Sequence, residues 1–429
     1  MATYEAGSPY EIKLVRDGDE WQGKTRLETV GLFTPKSKQN AASFNHWLHN
    51  FTAHSKSCPV TVSNAPNLCL YDGWIDSYSF VLCVSLSFFR YQKEELLFIS
   101  YDLIGSKFHV GVMSDEDELL SMETFNYPNG EASMMHDFAI TESKIIIMCH
   151  PLLFNLEQSM QGGLPFTYST THSSFFGVIE RRRNANGEGG GCGSEIQWIE
   201  AENGYCYHSM AAYDDAESEG LVHLFAQKLA ATGALGMATF KEDGRQLENY
   251  EVQELAKLHK WTLDTVKKGE GKGKILESSV QCEVPSDFPE INPQYVGRKC
   301  RFGYSQQISS AFDAGGGVPL FNKLLKHDLH SKTFEALDLG GKVGGDMVFV
   351  PDASRSGQED GGWILYFTHD VEDETRCWLE VVDAEDITAG PMAMVELPFI
   401  PIGFHGKSGS RFLLLLLLLL LTPSLGLAN

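Results

Sequence analysis

The feature that most constrains the fold is a succession of short apolar or alternating stretches, each closed by turn residues. Residues 68–75, 79–89, 95–102, 144–148, 174–179, 347–350, 362–368 and 378–382 have strand length and are rich in β-branched or aromatic side chains. Turn material separates them, as in Tyr127-Pro-Asn-Gly, 186–193, Pro351-Asp-Ala-Ser and Gly390-Pro. Helical spacing is scarce: 152–160, 253–266 and the short 321–327 are the candidates. Many short strands at close spacing favour a sandwich, barrel or propeller. Tyr101-Asp-Leu, Leu337-Asp-Leu and Val382-Asp-Ala share a hydrophobe followed by Asp, a turn signature at a strand end. The stretch 181–194, with three consecutive arginines and then Asn and Gly, reads as an exposed loop.

Composition sets outer bounds. A chain of 429 residues with 43% hydrophobic and 21% charged residues is ordinary for a globular protein. Its net charge of −23 argues against nucleic acid and anionic lipid as partners, since both demand clustered Lys and Arg. Nine scattered cysteines without a CxxC pair read as reduced core thiols. No basic segment followed by an apolar stretch opens the chain. At the other end, 413–421 is a run of nine leucines. With Phe412 it is shorter than the roughly 20 residues that span a bilayer, and it reads as a disordered or artefactual low-complexity tail over 412–429.

Four of the 14 histidines stand in separate short segments, each after an apolar or aromatic neighbour: His54 in FTAHSK, His136 in SMMHDFAIT, His208 in YCYHSMAAYDD and His405 in IGFHGKSG. Neutral imidazoles suit Fe, Zn, Cu or Ni. No HExxH pair is present, so a zinc-protease site is not expected. A propeller would bring together residues 82, 72 and 197 positions apart, because its inner strands converge on one axis. Taken singly, each histidine would more often cap a turn or sit in the core, and the other ten, among them His46, His49, His109, His172, His327 and His330, stay in that class. A metal-bound imidazole needs an acceptor on its other nitrogen. Glu5, Asp287 and Asp346 are candidates for that role, each otherwise an ordinary acid in a turn.

These segments resemble the carotenoid oxygenase family, which includes carotenoid cleavage dioxygenases and the retinal pigment epithelium isomerohydrolase. The resemblance runs collinearly through YEAGSPYEI from Tyr4, LETVG from Leu27, TAHSK, HDFAITE, FFGVIERR from Phe175, YCYHSMAAYDD, DFPEINPQYVGRKCRFGY from Asp287, DMVFVPDA from Asp346, EDGGWILYF and PIGFHG. It implies an all-β, seven-bladed β-propeller over residues 1–411, with loops or short helices as a cap and Fe(II) on the axis. It implies that His54, His136, His208 and His405 bind the iron. Glu5, Asp287 and Asp346 would orient His136, His208 and His405 respectively. The family often has Glu at the last two of these positions, and Ser55 stands where it usually has proline. Members usually carry a further amino-terminal segment, so part of the closing blade is expected to be missing here.

The implied reaction is cleavage of a C=C bond of a carotenoid or apocarotenoid by O2, giving aldehyde or ketone fragments without an organic cofactor. Isomerohydrolase or stilbene-cleaving chemistry, or a non-catalytic carotenoid- or metal-binding propeller, are the alternatives. The partners would be an apolar polyene and O2, with peripheral membrane contact for substrate uptake and a cytoplasmic or plastid location. Phe138, Phe175, Trp198, Tyr207 and Tyr213 are candidate tunnel residues, each with core packing as the plainer role.

Overall fold

In the computed structural model nearly all regular structure is β. The described residues are the strand segments Ala2–Tyr4, Gly7–Arg16, Thr25–Leu32, Asn50–Phe51 and Lys56–Thr61, then 93–397 apart from 115–117, 161–165, 184–188, 230–254, 267–272, 310–319 and 374. The first sheet joins β1 (Ala2–Tyr4), β2 (Gly7–Arg16) and β3 (Thr25–Leu32). The second joins β4 (Asn50–Phe51), β5 (Lys56–Thr61), β6 (Lys93–Asp102), β7 (Lys107–Met113) and β8 (Leu119–Asn126). Next come β9 (Phe138–Ile140) and β10 (Lys144–Cys149), the small pair β11 (Leu152–Phe154) and β12 (Phe166–Tyr168), then β13 (Ser174–Arg183) and β14 (Gly189–Ala201). Strands β14, β13, β10 and β9 form one antiparallel sheet in that order.

The remaining strands form a sheet of 11. They are β15 (Tyr205–Asp214), β16 (Leu221–Leu229), β17 (Lys257–Asp264), β18 (Lys274–Glu290), β19 (Phe302–Ile308), β20 (Phe321–Asp328), β21 (Thr333–Asp338), β22 (Lys342–Pro351), β23 (Gly362–Asp370), β24 (Cys377–Asp383) and β25 (Pro391–Leu397). Each of these strands pairs antiparallel with its neighbours. 

Continuous apolar runs explain how the sheets stack. Every residue of β10, KIIIMC, is buried. Side chains alternate across a strand, so Ile145 and Ile147 face one way and pack with Leu97, Phe108 and Val110 of the second sheet. Ile146 and Met148 face the other way and pack with Val222, Leu224 and Trp261 of the large sheet. The sheet of β10 is thus covered on both faces, and cores repeat from sheet to sheet. Tyr304, Leu324, Met347, Ile364 and Tyr366 form the corresponding core farther along. Cys149, Cys192, Cys206, Cys282, Cys300 and Cys377 are buried, and none of these six forms a disulfide.

Asp at strand ends is structural. Gly105 donates its backbone N–H to Asp102, Gly340 to Asp338 and Glu385 to Asp383. These carboxylates act as local caps where each strand leaves its ladder. The same device recurs at Asp264, Asp328 and Asp370.

The helical expectations fail in an instructive way. The region 253–266 contains strand β17, paired in continuous register with β16 and, with two slips, with β18, and 321–327 lies in strand β20. Leu258 and Trp261, like Phe321, Leu324 and Leu325, imitate helical spacing because both faces of these strands are covered. Region 152–160 divides into β11 and one five-residue helix (Leu156–Met160), whose start is capped by Asn155 accepting from the Gln158 N–H. The loop expected over 181–194 is also shorter: β13 runs to Arg183 and β14 begins at Gly189. Arg181 is tucked in, donating to the Thr141 carbonyl and paired with Glu95. The strands expected at 68–75 and 79–89 and the leucine tail lie outside the described residues. No helix among the described residues is long and apolar enough to cross a membrane.

Strand β18 positions the site. Its first half alternates exposed and half-buried residues along the outer edge, and from Ser286 it becomes buried. The first half pairs with β17 and the second with β19, so one strand passes from the rim to the interior and carries Asp287 inward.

Glu380 on β24 is only 1% exposed and accepts hydrogen bonds from Lys342 Nζ, Tyr366 Oη and Thr368 Oγ1. Removing the cation would leave a buried carboxylate without its charge partner. Lys342→Met is expected to cost about 3–5 kcal/mol, read as a fall in the urea midpoint. Replacing both Lys342 and Glu380 with Met is expected to cost less than the single change.

Candidate metal centre

Two histidine segments are fastened to each other next to their rings. His136 lies in the irregular stretch before β9, between the fully buried Met135 and the 2% exposed Asp137. Asp137 Oδ2 accepts from the Ser209 backbone N–H at 2.8 Å and from its hydroxyl at 2.7 Å. Ser209 directly follows His208 on β15. The pairing of β15 with β16 slips at this point, so Tyr207 and His208 together oppose one residue of β16. Such a bulge re-aims side chains.

The two rings meet at their Nε2 atoms, 3.1 Å apart, with centroids 4.9 Å apart and planes at 75°. His208 donates from Nδ1 to Asp287 Oδ1 at 2.7 Å, and the Phe288 N–H donates to the same oxygen at 2.8 Å. An ionised carboxylate only accepts, so the Nδ1 proton is fixed and Nε2 of His208 presents a lone pair toward His136. Burial favours the neutral His208 ring, but the Asp287 carboxylate outweighs it, helped by Asp137 and Asp346, and raises the ring's pKa. 

A divalent cation fits this arrangement. Two lone pairs at this separation repel unless a proton or a cation lies between them. Nitrogens bound to one metal at about 2.0–2.1 Å and at right angles stand about 3 Å apart, which matches. The ring nitrogen that faces away is held by a carboxylate, as metal-bound imidazoles usually are.

Of the residues expected at the site, the structure brings together His136, His208 and Asp287. Asp346, on β22, turns one oxygen onto the N–H of Met347 at 2.9 Å, and its charge reaches His208. Glu5, His54 and His405 lie outside the described residues. Among the described residues no group of three or more His, Cys, Asp or Glu side chains forms a metal cluster.

The neighbourhood is aromatic. Tyr207 stands edge-on to the His136 ring at 5.0 Å, and Phe288 packs 5.5 Å from the His208 ring. Of the expected tunnel residues only Tyr207 is at the rings. Phe138, Phe175 and Trp198 belong to the core between sheets, and Tyr213 to another core. Other histidines have ordinary structural partners: His109 with Thr124, His150 with Ser174, His223 with Asp215, His259 with Ser278 and His327 with Ser305.

Two features escaped sequence reasoning. The Asp137–Ser209 fastening was visible only as an Asp and a Ser that each follow a candidate histidine. Phe288 has φ of 53°, in the left-handed region, and precedes Pro289. Both its β-carbon and the following proline disfavour that conformation.

A family model described as retinal pigment epithelial membrane protein matches residues 1–407. The chain belongs to this family. Among relatives, the carotenoid 9,10(9′,10′)-cleavage dioxygenase 1 of Phaseolus vulgaris is 28% identical over 422 residues, 94% of this chain and 63% of that one. This family member therefore spans under two thirds of that relative's length. Among solved structures, the lignostilbene dioxygenase of Pseudomonas brassicacearum superposes with a TM-score of 0.67 at 21% identity, covering 94% of this chain and 75% of the other. The cobalt-substituted apocarotenoid oxygenase of Synechocystis gives 0.67 at 20% identity, covering 95% and 71%. These likenesses establish a shared fold.

Asp287→Ala is expected to weaken divalent-metal binding about 10–100-fold while leaving the fold intact. Equilibrium dialysis with Co(II), beside circular dichroism, checks both parts; unchanged affinity would remove Asp287 from the centre.

Proposed function

We propose that this chain is a non-haem Fe(II)-dependent dioxygenase that cleaves one C=C bond of a carotenoid or apocarotenoid with O2, giving two carbonyl fragments. The observation that carries the reading is the approach of the His136 and His208 Nε2 atoms to 3.1 Å, with Asp287 on the far side of His208, in a member of this family. We read the face-to-face sheets as blades of a seven-bladed propeller whose axis holds the ion. His54 and His405 complete the ligand set, with Glu5 behind His136 and Asp346 behind His405.

When bound, Fe(II) supplies the one-electron chemistry that lets triplet dioxygen react with a closed-shell polyene. Four neutral imidazoles leave the ion its full charge and leave coordination positions open. Asp287 holds the His208 ring in one tautomer, and the Asp137–Ser209 hydrogen bonds keep His136 and His208 in register. Beside them, Tyr207, Met134 and Phe166 pack against an apolar cluster that includes Phe288 and Phe321. A polyene offers almost nothing to hydrogen-bond, so apolar and aromatic walls of this kind are what would place it. The atoms balance: one C=C bond and one O2 become two C=O groups. Substrate drawn from a membrane surface, in plastid or cytoplasm, suits the same chemistry.

Alanine at His54, His136, His208 or His405, one at a time, is expected to abolish bound iron, measured by metal analysis of the purified variants. Full iron occupancy in His208→Ala would end that assignment. Wild-type protein supplied with Fe(II) and a carotenoid in detergent is expected to consume O2 and release apocarotenoid aldehydes. Binding of the carotenoid without O2 consumption would instead mark a non-catalytic binder, and two aromatic aldehydes from a stilbene, with no carotenoid turnover, would mark a different substrate.

A further inference from the structure

Gln306 is fully buried, and neither its amide oxygen nor its amide nitrogen has a hydrogen-bond partner among the described residues. An amide left this way is costly, and in native proteins it usually marks an ordered water or a ligand. Its position is informative. On the ladder between β18 and β19, Gln306 is the residue directly opposite Asp287. Paired residues of an antiparallel ladder share one face of the sheet, with β-carbons about 4.5–5.5 Å apart. The amide therefore lies on the face from which Asp287 reaches His208.

The other wall is Gly344 of β22. A β-carbon there would come within 3.0 Å of Gln306 Oε1 and 3.2 Å of Nε2. A side chain at 344 would press on the amide, and glycine leaves it room. The pairing of β22 with β23 slips between Gly344 and Met347, and Asp346 sits within that irregularity. Gln306 thus lies between the strand that carries Asp287 and the bulge that carries Asp346. Gln227, another fully buried amide with both atoms unpartnered among the described residues, lies across from the Tyr207–His208 bulge.

We infer that the Gln306 amide holds an ordered water against the Asp287 carboxylate, making Gln306 a positioning residue for His208. This rests on the metal reading proposed above. The amide offers both a donor and an acceptor, and a buried water needs two to four polar partners. The water hydrogen-bonds the carboxylate and the amide together, which narrows the orientations of Asp287 and through it those of the His208 ring. 

The test compares wild-type protein with Gln306→Leu and Gly344→Ala. The latter leaves Gln306 in place and pushes on its amide. Two quantities are read: the Co(II) dissociation constant, by competition with a chelator, and the Tm of the metal-free protein. Gln306→Leu is expected to raise the dissociation constant about 10-fold, while a cooperative thermal transition shows that the variant stays folded. Gly344→Ala is expected to move affinity in the same direction. A buried amide with no part in positioning predicts affinity within about twofold of wild type for Leu, and that result overturns the inference alone. Wild-type protein that binds no Co(II) overturns the metal reading and the inference with it. A crystal structure showing the amide bonded directly to protein atoms, with no water on Asp287, also overturns it.

Discussion

The contact on which the site depends is the hydrogen bond from His208 Nδ1 to Asp287 Oδ1. It fixes which ring nitrogen is protonated, and so turns the other nitrogen into an electron-pair donor aimed at His136. Neither residue could make this contact from a regular strand. His208 is aimed by the slip between β15 and β16, and Asp287 is delivered by β18 as that strand passes from rim to interior. Phe288 holds a strained backbone immediately beyond the carboxylate and presses its ring toward His208. Strain of this kind persists only where surrounding packing over-determines it, and Phe288 is packed against Phe321.

The acidity of the chain has a structural source as well as a functional one. Many aspartates cap the turns that end strands, as Asp102, Asp264, Asp328, Asp338, Asp370 and Asp383 do. A fold made of many short strands needs many such turns, and Asp is among the best residues for closing them. The net charge of −23 therefore says something about architecture before it says anything about partners. Arginines are often spent on fastening loops, as Arg181 fastens the 141 turn and Arg355 pairs with Asp383.

Burial on both faces explains most of the disagreement between sequence pattern and structure. A half-exposed strand announces itself by alternation, whereas the largely buried 95–102 and 174–179 are recognisable by their β-branched and aromatic content. A strand covered on both sides loses alternation, and chance spacing of Leu258 with Trp261, or of Phe321 with Leu324 and Leu325, then imitates a helix. The arginine-rich stretch after Ile179 misled for the converse reason: charged residues continue a strand when partners wait beside it, as Glu95 does for Arg181. The candidate tunnel aromatics show the same limit, since only Tyr207 stands at the rings while the rest fill cores between sheets.

What the sequence determined by itself was the all-β class, the turn aspartates, the family and the choice of His136, His208 and Asp287 as candidates, because these rest on local composition and on the collinear order of short motifs. Tertiary structure alone decided that two imidazole nitrogens 72 positions apart meet at 3.1 Å, that Asp137 and Ser209 lock their segments together, and that Gln306 faces Asp287 across a ladder. Those facts depend on strand register and on the slips within it. Register is set by long-range pairing and by packing on both faces of each sheet, and no stretch of residues read alone carries that information.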